Sequence, residues 1–166
     1  MTMAKTFTIR QVLDCSEQEF WERVFRSEDF NRYLYDGLGF DYELEEWNPD
    51  TGYRRAKVSP GQHMPRPVAK LLGERFSYVE EGTFDPETER YEFRVIPSAL
   101  RDRIRAEGVV DVEAISECQC ERKVTLEISA HVLGLGRLVE TYIVASTREQ
   151  YAKNAALVNE YFAGFR

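Results

Sequence analysis

Glu46, Arg54 and Glu80 are ionisable residues, each in a segment whose positions of the same parity are otherwise mostly apolar or aromatic. Gln11 stands in the same way within the stripe Phe7, Ile9, Gln11, Leu13. A carboxylate on an apolar wall has to find a cation or take up a proton, and Arg54 is the cation on hand for Glu46 or Glu80. A few polar groups in an apolar lining suit a small-molecule site, where the wall attracts a hydrophobic ligand and the polar groups orient it. Glu80 with Tyr78 or with Glu46 would also supply an acid–base pair, if both groups reach one point in a cavity. The competing reading places these residues at exposed strand ends, because a one-residue slip sends each side chain to the opposite face.

Other chemistry finds little support. No G-x-S-x-G elbow, H-E-x-x-H pair or G-x-x-x-x-G-K-[ST] phosphate loop occurs in the chain. Gly134 and Gly136 make only G-x-G, and they read as a sharp, closely packed turn and not as a dinucleotide fingerprint. Cys118 and Cys120 are spaced as C-x-C, and His63 and His131 are the only histidines. Structural zinc sites show two close ligand pairs, so neither a metal nor another cofactor is expected. Cys15, beside the capping Ser16, lacks a matching His or Asn motif.

The elements that must position these residues follow from periodicity. Residues 6–14 alternate as a strand. Ser16 with Glu19 forms a capping box ahead of Phe20, Trp21, Val24 and Phe25 at helical spacing. Ser27 caps a second short helix carrying Phe30 and Leu34 that stops near Gly37. The period then changes to two: Phe40, Tyr42 and Leu44 alternate with acidic residues, NPDTG at 48–52 turns the chain, and 53–58 returns as a partner strand. A proline-bounded loop at 59–67 leads into a short helix closed by Gly73. Strands follow over 75–84, with Phe76, Tyr78 and Glu80 inward, and over 91–95, with Tyr91 and Phe93 inward. Two more run over 109–116, with Val112 inward, and 122–132, with Leu126 and Ile128 inward. One long helix spans 137–163, with Leu138, Tyr142, Ala145, Ala152, Ala156 and Asn159 on one stripe. Hairpin connections make the sheet antiparallel. The expected architecture is α+β: a curved antiparallel sheet of six to seven strands gripping a long C-terminal helix, with two short helices after the first strand.

The chain has 166 residues, which fits one domain over 1–166. Ten Phe, nine Tyr and two Trp exceed what a small filled core requires and suggest a wide inner face. A net charge of −7 argues against nucleic acid as a partner. The opening MTMAKTFTIRQ lacks an apolar signal core, and the three cysteines are an odd number, so a reducing cytoplasm is expected. The 97–108 segment interleaves Leu100 and Ile104 with Arg101, Arg103 and Arg105. It reads either as a solvated connector or as a loop for transient contact with anionic headgroups.

The TFTIRQVLDCSEQEFWERV opening, the MPRPVAKLLGERFSYVEEGTF segment and HVLGLGRLVETYIVAS before the last helix resemble the START-like (SRPBCC, helix-grip) superfamily. More narrowly the chain is similar to domain-of-unknown-function family 2505, and more distantly to VASt-type sterol-binding domains. The resemblance implies a hydrophobic cavity between sheet and helix. The expected function is therefore binding, and carriage, of a lipid-like or polycyclic hydrophobic molecule by Gln11, Tyr42, Glu46, Arg54, Phe76, Tyr78, Glu80, Tyr91, Phe93, Val112, Leu126, Ile128 and Tyr142. The 59–73 stretch and the 97–108 loop would gate it. A cyclase-, aromatase- or hydratase-type enzyme in the same cavity is the first alternative. An interaction domain with a filled core is the second. The sequence leaves oligomeric state open.

Overall fold

Turn chemistry and alternation resolve into a single antiparallel sheet. The computed structural model describes residues 4–61 and 64–164; His63 lies outside the described residues. The strands are β1 (Lys5–Leu13), β2 (Phe40–Asn48), β3 (Tyr53–Pro60), β4 (Tyr78–Asp85), β5 (Arg90–Pro97), β6 (Ile104–Ser116) and β7 (Gln119–Ala130). Their order across the sheet is β1-β7-β6-β5-β4-β3-β2. Chain neighbours from β2 to β7 pair antiparallel, β3 and β4 across a longer connection than the others, and β1 closes against β7. The helices are α1 (Glu17–Glu19), α2 (Glu28–Leu38), α3 (Arg66–Leu72) and α4 (Gly136–Ala163). The curved sheet carries the long α4 across its inner face, as the alternation predicts.

Cross-strand register fixes which side chains share that face. Arg54 stands opposite Gly82, Gly82 opposite Phe93, Phe93 opposite Gly108, and Gly108 opposite Leu126. A Cβ on Gly108 would sit 2.4 Å from the Phe93 ring, so the missing side chain is what lets that ring lie over β6. At the other end, Gly136 brings α4 against the Ala130 carbonyl, where a Cβ would come within 2.6 Å. Buried Glu140 then accepts a hydrogen bond from the Ala130 N–H at 3.1 Å, which ties the first turn of α4 to the end of β7.

The first helical turn is closed by reciprocal 3.1 Å bonds between Ser16 and Glu19. It continues as a π-helical stretch, Phe20–Phe25, in which the Arg26 N–H donates to the Trp21 carbonyl at 3.1 Å. The wider turn buries the consecutive residues Phe20 and Trp21 together with Val24. α2 runs to Leu38 and ends at left-handed Gly39, two residues beyond the predicted stop.

Four expectations need correction. β4 begins at Tyr78, so Phe76 precedes the strand. β6 begins at Ile104, which shortens the 97–108 loop. Ile104 is buried, and Leu100 packs against the cluster of Val68, Leu72 and Val139. A bulge between Leu44 and Glu46 pairs Trp47 with Arg54 and Glu46 with Arg55, which turns Glu46 to the outer face, where it is exposed. On α4, Leu138, Ala145, Ala152 and Ala156 are exposed; the buried stripe runs through Val139, Ile143, Tyr151, Val158 and Phe162. Among the described residues no helix is long and apolar enough to cross a membrane.

Candidate functional site

Between the sheet and α4 lies a cavity of about 180 Å³, so the interior is not filled by side chains. Its floor is apolar: Phe93 and Val95 from β5, Ala106 from β6, Leu126 and Ile128 from β7. Phe40, Pro60, Leu72 and Phe76 wall one side. The roof is α4, which presents Tyr142 and Ile143 and then the polar series Ser146, Thr147, Gln150 and Asn154. Tyr78 and Glu80 of β4 are polar groups on the sheet side.

A second chamber of about 100 Å³ adjoins the first, with Tyr35, Glu80, Phe93, Tyr151 and Asn154 lining both. It is ringed by Arg54, Tyr91 and Arg122, and closed by Phe20, Val24 and Phe25. Both guanidiniums are inside the protein, Arg54 at 6% exposure and Arg122 at 4%.

Arg54 is embedded in a polar chain. Its Nη2 donates to the Tyr42 hydroxyl at 2.6 Å, and Tyr42 donates in turn to Glu28 at 3.0 Å. Tyr42 stacks on Tyr35 with ring centres 4.4 Å apart. The Tyr91 hydroxyl donates to Glu80 at 3.2 Å. Burial works against the Arg54 charge, but Glu80 and the surrounding tyrosines outweigh it and hold the guanidinium above its ordinary value. Burial also pushes Tyr42 up to about 12, and raises Tyr78, Tyr91 and Tyr151. These phenols therefore stay protonated near neutral pH, and those of Tyr42 and Tyr91 donate to carboxylates.

The structure gathers most of the predicted residues. Phe76, Tyr78, Glu80, Phe93, Leu126, Ile128 and Tyr142 line the larger cavity, and Arg54 and Tyr91 the smaller. Tyr42 stands behind Arg54, outside both chambers. Gln11 accepts from Arg122 Nη2 and serves as its support. Val112 packs against the core cluster away from the cavity. Glu46 is absent from the site; Tyr78 lines the same cavity as Glu80, and Tyr91 is the phenol that donates to it. The thiols do not converge on a metal position: Cys118 is exposed in the β6–β7 turn, and Cys120 is buried with its sulfur 4.0 Å from that of Cys15. Arg122 and Asn154 were not among the expected residues. Arg122 keeps the parity of Val124, Leu126 and Ile128, so extending that stripe one step back would have found it.

A family model described as a protein of unknown function, DUF2505, matches residues 8–162. The chain belongs to the DUF2505 family. No curated protein matches this DUF2505 chain. Among solved structures it is similar to the ZhuI aromatase/cyclase from Streptomyces sp. R1128, with TM-score 0.70 and 11% identity over 96% of this chain and 93% of that one. It is also similar to norcoclaurine synthase from Thalictrum flavum in complex with dopamine and hydroxybenzaldehyde, with TM-score 0.68 and 17% identity over 99% and 90%. A third similar structure is Ara h 8.0201, with TM-score 0.62 and 12% identity over 94% and 98%. At these identities the likeness shows that the DUF2505 chain has the helix-grip fold.

Proposed function

We propose that the chain binds a hydrophobic small molecule in the cavity between the sheet and α4. The observation that carries this reading is the cavity itself: an apolar floor faces a polar roof, with Glu80 and Tyr78 at one side. Burial of the ligand's apolar surface supplies the affinity, about 25 cal/mol per Å² before costs, and the polar groups set its orientation.

Size narrows the ligand. A cavity of about 180 Å³ exceeds the roughly 150 Å³ that admits benzene and falls below the usual pocket range that starts near 300 Å³. A compound of one or two rings fits the cavity as it stands, whereas a full lipid or sterol requires the wall to open. That wall includes Pro60 and Leu72, and Pro97 and Ile104 beside the 98–103 turn, so opening it means moving these residues. The norcoclaurine synthase neighbour is in complex with one-ring compounds, dopamine and hydroxybenzaldehyde, which supports the same size class. A cytoplasmic setting is part of the reading, supported by the odd number of cysteines in the chain.

Native mass spectrometry of gently purified protein should show an adduct that organic extraction releases, or uptake of added one-ring aromatics. Thr147→Trp, which fills the cavity from α4, should abolish either signal while leaving circular dichroism unchanged. A bare wild-type protein that takes up no aromatic compound would exclude this function.

A further inference from the structure

Glu80 stands where the two chambers meet and lines both of them. One of its oxygens is taken: the Tyr91 hydroxyl donates to Oε1 at 3.2 Å. The other, Oε2, accepts no hydrogen bond and joins no salt bridge among the described residues. Arg54 supplies the counter-charge but turns its Nη2 to the Tyr42 hydroxyl instead. Among the described residues, the sealed side-chain nitrogen and oxygen atoms without a partner are Trp21 Nε1 and Arg122 Nε. Glu80 Oε2 is not one of them, so it keeps accessible surface, which opens onto the chambers the residue lines. The same holds for the Tyr78 hydroxyl. Tyr78 leaves β4 on the same face two residues earlier and lines the larger cavity. Its hydroxyl has no hydrogen-bond partner among the described residues and is not sealed either. The Glu80 charge is felt there, second only to burial in raising the phenol. An open acceptor and an open donor therefore share one space.

We propose that Glu80 Oε2 and the Tyr78 hydroxyl form the seat of a ligand hydroxyl, so that the ligand is an uncharged, hydroxylated aromatic compound. This rests on the binding function proposed above. One hydroxyl satisfies both groups, because it donates its proton to Oε2 and accepts the Tyr78 proton on a lone pair. Other polar groups fail one half of the match. An ether or carbonyl oxygen brings no proton for Oε2. An ammonium has no lone pair for Tyr78, and it would add a third cation beside buried Arg54 and Arg122. A carboxylate would set a like charge against Glu80. The ring then lies on the apolar floor, over Phe93, Leu126 and Ile128. A hydrogen bond to a carboxylate is roughly twice as strong as a neutral one, which offsets the water the hydroxyl gives up.

The experiment compares 4-methylphenol with 4-fluorotoluene, the same ring with fluorine in place of the hydroxyl, by isothermal titration calorimetry at neutral pH. The fluoro compound leaves water more readily, so a preference for the phenol reports the seat. The phenol should bind at least about tenfold more tightly. Glu80→Gln puts an amide in place of Oε2 and keeps an oxygen for Tyr91. Tyr78→Phe removes the donor and leaves Arg54 its counter-charge, so it carries the test alone if Glu80→Gln does not fold. Each should erase most of the phenol's advantage while sparing 4-fluorotoluene. 4-Nitrophenol, partly ionised near neutral pH and yellow only as the phenolate, reports the proton directly. The seat holds the uncharged form, so binding should bleach the yellow at constant pH. A yellow that holds or deepens on binding would mean that a guanidinium captures the phenolate, which overturns the seat. Equal affinities for the two rings would mean that water serves Oε2 and Tyr78 as well as the ligand does, which overturns it too and leaves the cavity function standing. An advantage that survives either substitution would place the hydroxyl elsewhere and overturn it as well. If neither ring binds, the cavity function and the hydroxyl seat fall together.

Discussion

Removing a cation from water costs several kcal/mol unless its donors are satisfied and its charge is matched. At Arg54 Glu80 is the leading counter-charge, and Tyr42 accepts a hydrogen bond from the guanidinium and donates one to Glu28. Tyr42→Phe would keep the ring that stacks on Tyr35 and delete both bonds, so its effect isolates the hydroxyl. Hydrogen bonds to charged groups contribute about 1.5–3 kcal/mol, and the variant should lose about 1–3 kcal/mol of stability in urea denaturation. A loss within error of zero would mean that water replaces the hydroxyl and that Arg54 is not sealed. Arg54 and Glu80 were legible in the sequence because parity on an uninterrupted strand is enough to place them. Glu46 was not, because the bulge at Leu44–Glu46 inserts one residue with no glycine or proline to announce it. Arg122 was overlooked for a different reason: a cation at the start of a strand looks like an exposed end until the strand is seen to continue to Gln119.

The sheet owes its wide inner face to an element-level device, the pairing of a large aromatic residue with glycine across strands. Phe93 of β5 lies over Gly108 of β6, and neither residue explains the other until the register joins them. Gly108→Ala should push the Phe93 ring from β6 into the cavity it lines. Overpacking of this kind costs roughly 1–3 kcal/mol, and the displaced ring should weaken binding of a one-ring probe. Adding Phe93→Leu should restore much of the stability, giving a non-additive double-mutant cycle by thermal denaturation. Additive losses would show that the two positions do not share space. Strands and hairpins were legible because each carries its own alternation and turn residues. The face of α4 was not. Its exposed side holds Leu138, Ala145, Ala152 and Ala156, while the side over the cavity holds Ser146, Thr147, Gln150 and Asn154. The solvent side also carries Arg148, Glu149, Lys153 and Glu160, so polar residues stand on both faces of α4 and the pattern alone could not choose between them.

At the scale of the whole molecule, a sheet wrapped around one helix encloses phenols from many parts of the chain. Tyr35, Tyr42, Tyr78, Tyr91 and Tyr151 come from α2, β2, β4, β5 and α4, and burial is the leading cause that raises each of them. An unfolded tyrosine ionises near pH 10. A group whose value is raised by folding contributes stability that is complete below the unfolded value and is lost as pH climbs through the folded one. The window therefore opens near pH 10 and extends through about 12 for Tyr42 and higher for the others. Within it, unfolding releases several protons at once, and a chain of net charge −7 becomes still more negative. The urea midpoint should fall steeply above pH 10. Phenolate absorbance among the nine tyrosines should grow in two steps, the second coinciding with loss of circular dichroism. A ligand that fills the cavity should shift that second step to higher pH, because it binds only the folded chain. A single reversible phenolate wave near pH 10, with the fold intact throughout, would mean that these hydroxyls meet water freely, and the enclosed interior on which the binding function depends would be excluded.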